Sequence, residues 1–253
     1  MQTLLLEEMT WPEIRDALAA GFQTVIIPAG SIEQHGYHLA VCTDAVLGTR
    51  AAMELANRLE MTLVAPVIRP GLSAHHMAMP GTLTLRPETF RMLVEDYVTC
   101  YAQHGFKTII LLGSHGGNIE PLEQIAQALD QSISGVQVIT APEVPDVETL
   151  HAIETYFDLP HGTNGGHADD RETSEMLATA PQHVRIDLLT RGYTEPLTQE
   201  ARARFFRHGV TALTAIGPVG NPEHADARRG EQYLALTADA LAALVKSKLN
   251  EKR

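Results

Sequence analysis

Short apolar runs alternate along this chain with longer stretches that have the periodicity of a helix. Four such runs are candidate strands, at residues 24–27, 62–67, 108–112 and 136–139. The stretches between them repeat apolar residues every three or four positions, as one buried helix face does. This order of strands and helices favours parallel pairing with helical crossovers. The sequence therefore predicts an α/β fold, in a single domain over residues 1–253, with a mostly parallel central sheet flanked by helices.

The pattern weakens between Ala141 and Gly166, where prolines and glycines accumulate. We expect long connecting segments there, with one short helix near residues 147–156. A helix from about Asp170 to Ala180 follows, and apolar residues spaced from Leu234 to Leu249 predict a long terminal helix.

Three clusters of carboxylates and imidazoles follow the predicted strands or open the predicted helices. The first cluster contains Glu33, His35, His38 and Asp44. The second is Gly113-Ser-His-Gly-Gly-Asn118, and the third is Gly166-His-Ala-Asp-Asp-Arg-Glu-Thr-Ser174. Ligands of open parallel sheets bind at the carboxyl ends of the strands, so these distant segments are expected to converge. Burying several carboxylates together is unfavourable unless a cation compensates their charge. The clusters therefore predict a metal centre.

A ligand set of nitrogen and oxygen atoms without sulfur suits Zn²⁺, Mn²⁺ or Fe²⁺. The candidate ligands are Glu33, His35, Asp44, His115 and Glu172. Because one tetrahedral catalytic site needs fewer ligands, we expect two divalent metal ions per subunit, about 3.5–4 Å apart. Such a pair supplies a metal-bridging hydroxide near neutral pH and polarises a carbonyl group. The predicted reaction is hydrolysis of an amide-like C–N bond.

Residues beside the predicted ligands are candidates for substrate binding and proton transfer. Gly116 and Gly117 allow backbone amides to approach an oxyanion or a substrate carbonyl closely. Ser114 and Asn118, in the same cluster, are further substrate-binding candidates. His167 is expected to protonate the leaving nitrogen, since histidine is the natural donor near neutral pH. Together with Glu172, it forms the predicted catalytic pair.

Composition narrows the possible partners. The net charge of −12 argues against nucleic acid or an anionic membrane as the main partner. No apolar run approaches the roughly 20 residues that span a bilayer, and the first residues lack the basic start of a signal peptide. Two cysteines are too few to indicate a disulfide framework. We therefore expect a cytoplasmic protein that acts on a small molecule.

The motifs together resemble those of the creatininase (creatinine amidohydrolase) family. The resemblance rests on Gly30-Ser-x-Glu33-x-His35-Gly-x-His38-Leu, Thr43-Asp44, Pro80-Gly-Thr82, Gly113-Ser-His-Gly-Gly-Asn118 and His167-Ala-x-x-x-Glu172-Thr-Ser174. It implies a two-metal centre that hydrolyses cyclic amides, formamides or related C–N bonds. It also implies a homo-oligomer, often a hexamer. By matching position, Glu33 and His115 bind one metal, His35 binds the other, Asp44 bridges them, and His167 assists catalysis.

Two departures from the family pattern limit what the resemblance implies. Creatinine-hydrolysing members have a glutamate ligand two residues after the histidine matched by His115, where this chain has Gly117. Glu172 is the expected substitute. Those members also hold creatinine against tryptophans in the later half of the chain, whereas the only tryptophan here is Trp11. Creatinine itself is therefore not the expected substrate.

Some assignments stay open at this stage. His38 is either a ligand or a residue that orients one, and His76 matches a family position that lines the pocket, so both are substrate-binding candidates. His75 is expected to be structural or exposed.

The main prediction is hydrolysis of a non-peptide C–N bond in a small polar substrate. The alternatives are a peptidase-like member that trims a modified peptide, favoured by a wide pocket near residues 141–166, and a non-catalytic metal-stabilised scaffold.

Overall fold

The apolar runs pair into one parallel sheet in the computed structural model of the chain, which describes residues 3–251. Its strands are β1 (Thr24–Ala29), β2 (Thr62–Val64), β3 (Thr108–Gly113) and β4 (Gln137–Pro142). Their spatial order is β2-β1-β3-β4, and each neighbouring pair is parallel. The predicted α/β fold with a mostly parallel sheet flanked by helices is thus confirmed.

The strand ends differ from the predicted ones in both directions. β2 stops at Val64 rather than at residue 67, because Pro28 of β1 has no N–H group to donate to the backbone oxygen of Ala65 and continue the ladder. β4 runs on to Pro142, since it pairs with β3 as far as Gly113. β1 and β3 also end beyond the predicted runs, and Ala29 lies opposite Gly113. The loops that follow β1 and β3 therefore begin at the same edge of the sheet, at the carboxyl ends of its strands.

Eight α-helices are present within residues 3–251. They are α1 (Trp11–Ala19), α2 (Thr43–Leu59), α3 (Pro87–His104), α4 (Ile119–Ser132), α5 (Val147–Tyr156), α6 (Asp170–Thr179), α7 (Gln199–His208) and α8 (Ala227–Glu251). The predicted short helix coincides with α5. α1 and α7 were not predicted, and α8 begins before the predicted Leu234. None of the described helices is long and apolar enough to cross a membrane.

The helices cover both faces of the sheet. Side chains such as Ile27 and Ile109 point to one face, where α3 and α4 supply much of the core. Alternate side chains, such as Ile26 and Ile110, point to the other face, where α2 and α8 pack. Because a strand turns successive side chains to opposite faces, these continuous apolar runs serve both cores.

A second, two-stranded antiparallel sheet was not predicted, and only its first strand lies largely in the region predicted as connecting segments. Its strands are β5 (Asn164–His167) and β6 (Val219–Gly220). β5 ends at His167 and leads directly into α6, which packs against α8. Gly230 in α8 makes that helix contact possible, since a Cβ there would lie 2.0 Å from the backbone oxygen of Ser174.

We predict that Gly230→Ala lowers the free energy of unfolding by about 1–3 kcal/mol, because the added methyl group overpacks the α6–α8 contact. Helix propensity alone would change stability in the opposite direction, by about 1 kcal/mol. Urea denaturation measures the difference. The exposed Ala240→Gly in the same helix is the matched control, expected to cost only the propensity term. A more stable Gly230→Ala protein would show that the helices pack differently.

Candidate metal centre

The loops after β1 and β3 bring the predicted ligands into one buried cluster. Glu33 and His35 follow β1, and His115 follows β3, while Asp44 lies in the first turn of α2. Glu172 reaches the same place from α6. All five side chains are buried, and the most accessible of these residues, Glu172, is only 7% exposed. Segments distant in sequence thus meet as the parallel sheet predicts.

The carboxylate of Asp44 lies between two separate histidine–glutamate pairs. Its Oδ1 is 3.1 Å from His35 Nε2, and that nitrogen is 3.5 Å from Glu172 Oε2. Its Oδ2 is 3.3 Å from His115 Nδ1, and that nitrogen is 3.2 Å from Glu33 Oε2. Two groups of three donors therefore share Asp44, with one carboxylate oxygen facing each group.

Hydrogen bonds at the far side of each imidazole orient the nitrogen that faces the carboxylates. His35 Nδ1 lies 3.1 Å from the backbone oxygen of Glu33, and His115 Nε2 lies 3.2 Å from that of Leu72. A carbonyl oxygen only accepts, so both of these nitrogens carry hydrogen and donate. The opposite nitrogens face the carboxylates and can bind a cation in place of a proton, which is the arrangement typical of metal-binding histidines.

The charges of the cluster are not balanced by hydrogen bonds. Glu33 Oε2 and Asp44 Oδ2 are buried and have no hydrogen-bond partner among residues 3–251. Burial lowers the pKa of His35, but the carboxylates of Asp44, Glu172 and Glu33 outweigh it and raise this pKa to about 10. Burial likewise opposes protonation of His115, yet Glu33 and Asp44 hold its pKa well above the usual value. The carboxylates therefore require positive charge here, and the donor set suits divalent metal ions.

Glu172 is positioned by the start of α6. Asp169 caps this helix by accepting a hydrogen bond from the backbone N–H of Glu172, at 3.0 Å. The Glu172 side chain folds back and accepts from the backbone N–H of Ala168, at 2.6 Å. Ala168 has a left-handed backbone with φ of 50°. Burial, with Asp169 and Asp44 nearby, raises the pKa of Glu172 to about 8.

His167 and His76 lie beside the cluster and share one hydrogen-bond donor, the side-chain amide of Gln34. Gln34 Nε2 is 2.7 Å from His167 Nε2 and 2.8 Å from His76 Nδ1. The amide orientation is fixed because Gln34 Oε1 accepts the backbone N–H of Gly36 at 3.0 Å. Both imidazoles therefore accept from Gln34, and each turns its own N–H toward Glu33 Oε1, at 3.7 Å from His167 Nδ1 and 3.3 Å from His76 Nε2. Burial and the neighbouring histidines lower the pKa of His167 well below its usual value.

Three of the predicted substrate-binding side chains have other partners in the structure. Ser114 Oγ donates to the backbone oxygen of Asp44 at 2.9 Å. Asn118 donates to the backbone oxygens of Ala29 and Gly30 and accepts from Leu72 N–H. His38 Nε2 lies 3.0 Å from Thr173 Oγ1, next to Glu172 in α6. These hydrogen bonds hold together the segments that carry the cluster, and substrate binding by the three side chains stays a prediction.

Gly116 and Gly117 differ sharply in their surroundings. Gly116 is exposed, and a Cβ there would meet nothing within 4 Å. A Cβ at Gly117 would lie 2.3 Å from the backbone oxygen of Leu72 and 2.6 Å from His115 Nε2. A side chain at position 117, where the family resemblance implies a glutamate in creatinine-hydrolysing members, would therefore force the neighbouring backbone to shift.

Several residues of the site were not predicted from the sequence. Of the two alternatives for His75, the structure has the buried, structural one, and its ring stacks on that of His115 at 5.6 Å between centroids. Phe205 of α7 lies edge-on to His76, at 5.4 Å. Arg171 is buried and binds Glu143 and Glu175, each at 2.9 Å. The four-residue spacing of Arg171 and Glu175 on one helix was the only available signal.

Comparisons with known proteins identify the family of this chain. Residues 7–245 match the family described as "Creatininase: Creatinine amidohydrolase". The chain is 31% identical over 228 residues to a mycofactocin precursor peptide peptidase of Mycolicibacterium smegmatis, covering 88% of this chain and 84% of that protein. It is 26% identical over 254 residues to a creatinine amidohydrolase of Pseudomonas putida, covering 95% of each. A solved structure titled "Creatininase Mn" is similar with a TM-score of 0.79 at 25% identity, covering 98% of this chain and 99% of that one.

We predict that Gly117→Ala lowers the free energy of unfolding by about 1–3 kcal/mol, since the methyl group would collide with Leu72 and His115. Gly116→Ala is the matched control, because its methyl group enters open space. Chemical denaturation of the two variants measures the contrast. Equal stabilities would show that the loop after β3 does not approach Leu72 as closely as described.

Proposed function

Because the chain belongs to the creatininase family of hydrolases, we propose that it hydrolyses an amide-type C–N bond of a small polar substrate at two divalent metal ions. The observation that carries this proposal is the buried carboxylate of Asp44, which presents one oxygen to His35 and Glu172 and the other to His115 and Glu33. Such a shared carboxylate is what a pair of closely spaced ions requires.

We assign one ion to Glu33, His115 and Asp44, and the other to His35, Glu172 and Asp44. Zn²⁺, Mn²⁺ and Fe²⁺ all suit these nitrogen and oxygen donors. When bound, ions of this kind lower the pKa of water and polarise a carbonyl group. The protein contributes the buried surroundings, in which electrostatic interactions with the substrate are stronger than in water.

We assign His167 to the departing nitrogen of the substrate. The amide of Gln34 occupies His167 Nε2, so the hydrogen of this imidazole lies on Nδ1, the nitrogen that faces Glu33. As a neutral imidazole, His167 can donate a hydrogen bond from Nδ1 to the nitrogen as the C–N bond breaks. Gln34 acts as a positioning residue, because it fixes which nitrogen of His167 carries the hydrogen.

Burial of the site supports a small substrate. His76 and His167 are 1% and 7% exposed, and Phe205 packs beside both rings. A closed site of this kind admits a small polar amide more readily than an extended chain. Trp11, the only tryptophan, is 73% exposed on α1, away from this cluster, so the site has no tryptophan against which creatinine could stack.

A modified peptide is the second candidate substrate, and sequence similarity favours it. The mycofactocin precursor peptide peptidase of M. smegmatis, at 31% identity, is a relative whose name indicates a peptide substrate. The same metal chemistry would serve, since a peptide bond is also an amide. Phe205 packs against His76, so we expect that binding of a peptide end beside His76 displaces the side chain of Phe205.

We predict that Asp44→Ala binds no pair of metal ions and loses turnover by more than about 100-fold, because both ions lose a shared ligand. Metal content is measured by elemental analysis after loading and gel filtration, and turnover on the substrate found below. Asp96→Ala, on the exposed face of α3, is the matched control. An Asp44→Ala protein that retains two metals and full activity would refute the assignment, and circular dichroism verifies that it folds.

The two substrate classes are separated by screening lactams and formamides beside peptides with modified ends, using metal-loaded enzyme. We expect turnover of the small amides and none of the peptides. Cleavage of peptides alone would establish the second candidate. A protein that binds both ions and turns over neither class would contradict both proposals and indicate a scaffold.

A further inference from the structure

We propose a separate divalent-metal site at the protein surface, formed by His151, Glu154 and His161. One ligand atom from each of these residues lies within 4.8 Å of the other two. The three residues belong to α5 and to the turn that follows it, and none of them takes part in the cluster around Asp44. This inference concerns a different place in the fold and does not rest on the proposed hydrolysis.

The local structure brings the three side chains together. His151 and Glu154 are three residues apart in α5, so they lie on the same face of the helix. The chain then turns back, with Gly162 in a left-handed conformation at φ of 80°, where a Cβ would lie 2.3 Å from the backbone oxygen of Thr194. This turn returns His161 to the helix, and its ring centroid is 4.7 Å from that of His151.

Glu154 is a fixed ligand at the base of the site. Its side chain is 4% exposed, and its Oε1 accepts the backbone N–H of Asn164 at 2.8 Å. The other oxygen, Oε2, is 3.2 Å from His161 Nδ1. Two ligand atoms at about 2.1 Å from a tetrahedral ion are about 3.4 Å apart. Glu154 Oε2 and His161 Nδ1 therefore need little movement to bind the same ion.

The two histidines complete the site from the solvent side. The His161 side chain is 59% exposed, and His151 is also exposed. A simple ion pair would explain the contact between Glu154 and His161. It would not explain why the ring of His151 lies beside that of His161. Two imidazoles and one carboxylate without sulfur suit Zn²⁺, with water in the remaining position. Exposure makes this ion exchangeable, unlike ions enclosed around Asp44.

An ion at this site would connect two elements that lead to the main cluster. Its ligands come from α5 and from the turn before β5, and Glu154 also binds the first residue of β5. β5 ends at His167. Zn²⁺ would therefore stabilise this segment against local opening, because it binds the folded arrangement and not the unfolded chain.

Zinc titration of the metal-loaded protein against a competing chromogenic chelator tests this site. We expect one Zn²⁺ per chain beyond the two ions of the main cluster, and a thermal midpoint that rises with zinc concentration. His151→Ala and His161→Ala each weaken this additional binding by more than about tenfold. Both are surface substitutions that leave the two buried ions and the turnover unchanged. His104→Ala, an exposed histidine at the end of α3, is the matched control.

The outcomes distinguish this proposal from the proposed hydrolysis. An additional zinc that both His151→Ala and His161→Ala retain, or the absence of any additional zinc, overturns the surface site. A chain that binds a single zinc, lost in His161→Ala but kept in Asp44→Ala, supports the surface site and refutes the two-metal centre. Retention of two ions and full turnover in His161→Ala, with the additional zinc lost, supports both.

Discussion

The arrangement of the cluster depends on buried carboxylate charge around Asp44. Asp44 and Glu33 each keep an oxygen without a hydrogen bond among residues 3–251, in a place that water hardly reaches. Such charges are strongly unfavourable without a cation. Some compensation comes from the first turn of α2, where the helix dipole favours a carboxylate such as that of Asp44. The rest of the compensating positive charge comes from His35 and His115. Their pKa values are raised because the carboxylates favour the protonated imidazoles.

The buried guanidinium of Arg171 helps to hold the carboxylate cluster around Asp44 in place. Arg171 extends from the same helix turn as Glu172, is 1% exposed, and binds Glu143 and Glu175. Its Nη2 also lies 3.7 Å from Glu172 Oε1. Burial would lower the pKa of Arg171, but Glu175, Glu143 and Glu172 hold it well above the usual value. The guanidinium thus stays charged and helps to keep α6, and with it Glu172, against the cluster.

The sequence predicts the elements that a local residue pattern specifies. It does not predict contacts with backbone groups that are distant along the chain. The apolar runs around Ile26 and Ile110 specify strands, because buried parallel strands are continuously apolar. The glycine-rich β5 has no such pattern and was not predicted. The hydrogen bonds of Asn118 to the backbone of Ala29, Gly30 and Leu72 were not predicted either, because such partners cannot be identified from residue types. The polar residues that converge, such as Glu33 and His115, were predictable since both follow central strands.

The absence of a side chain at Gly117 and the position of Glu172 have one physical explanation. The backbone of Leu72 and the rings of His115 and His75 crowd the position that the Cβ of any side chain at residue 117 would take. A carboxylate facing His35 must therefore come from another segment, and the start of α6 provides it. The cost is a left-handed backbone at Ala168, about 1–2 kcal/mol for a residue with a Cβ. Two bonds offset this cost: Asp169 caps the helix, and Glu172 itself binds the N–H of Ala168. The same short turn places His167 beside Glu33, so the left-handed Ala168 positions both the proposed ligand Glu172 and the proposed hydrogen-bond donor His167.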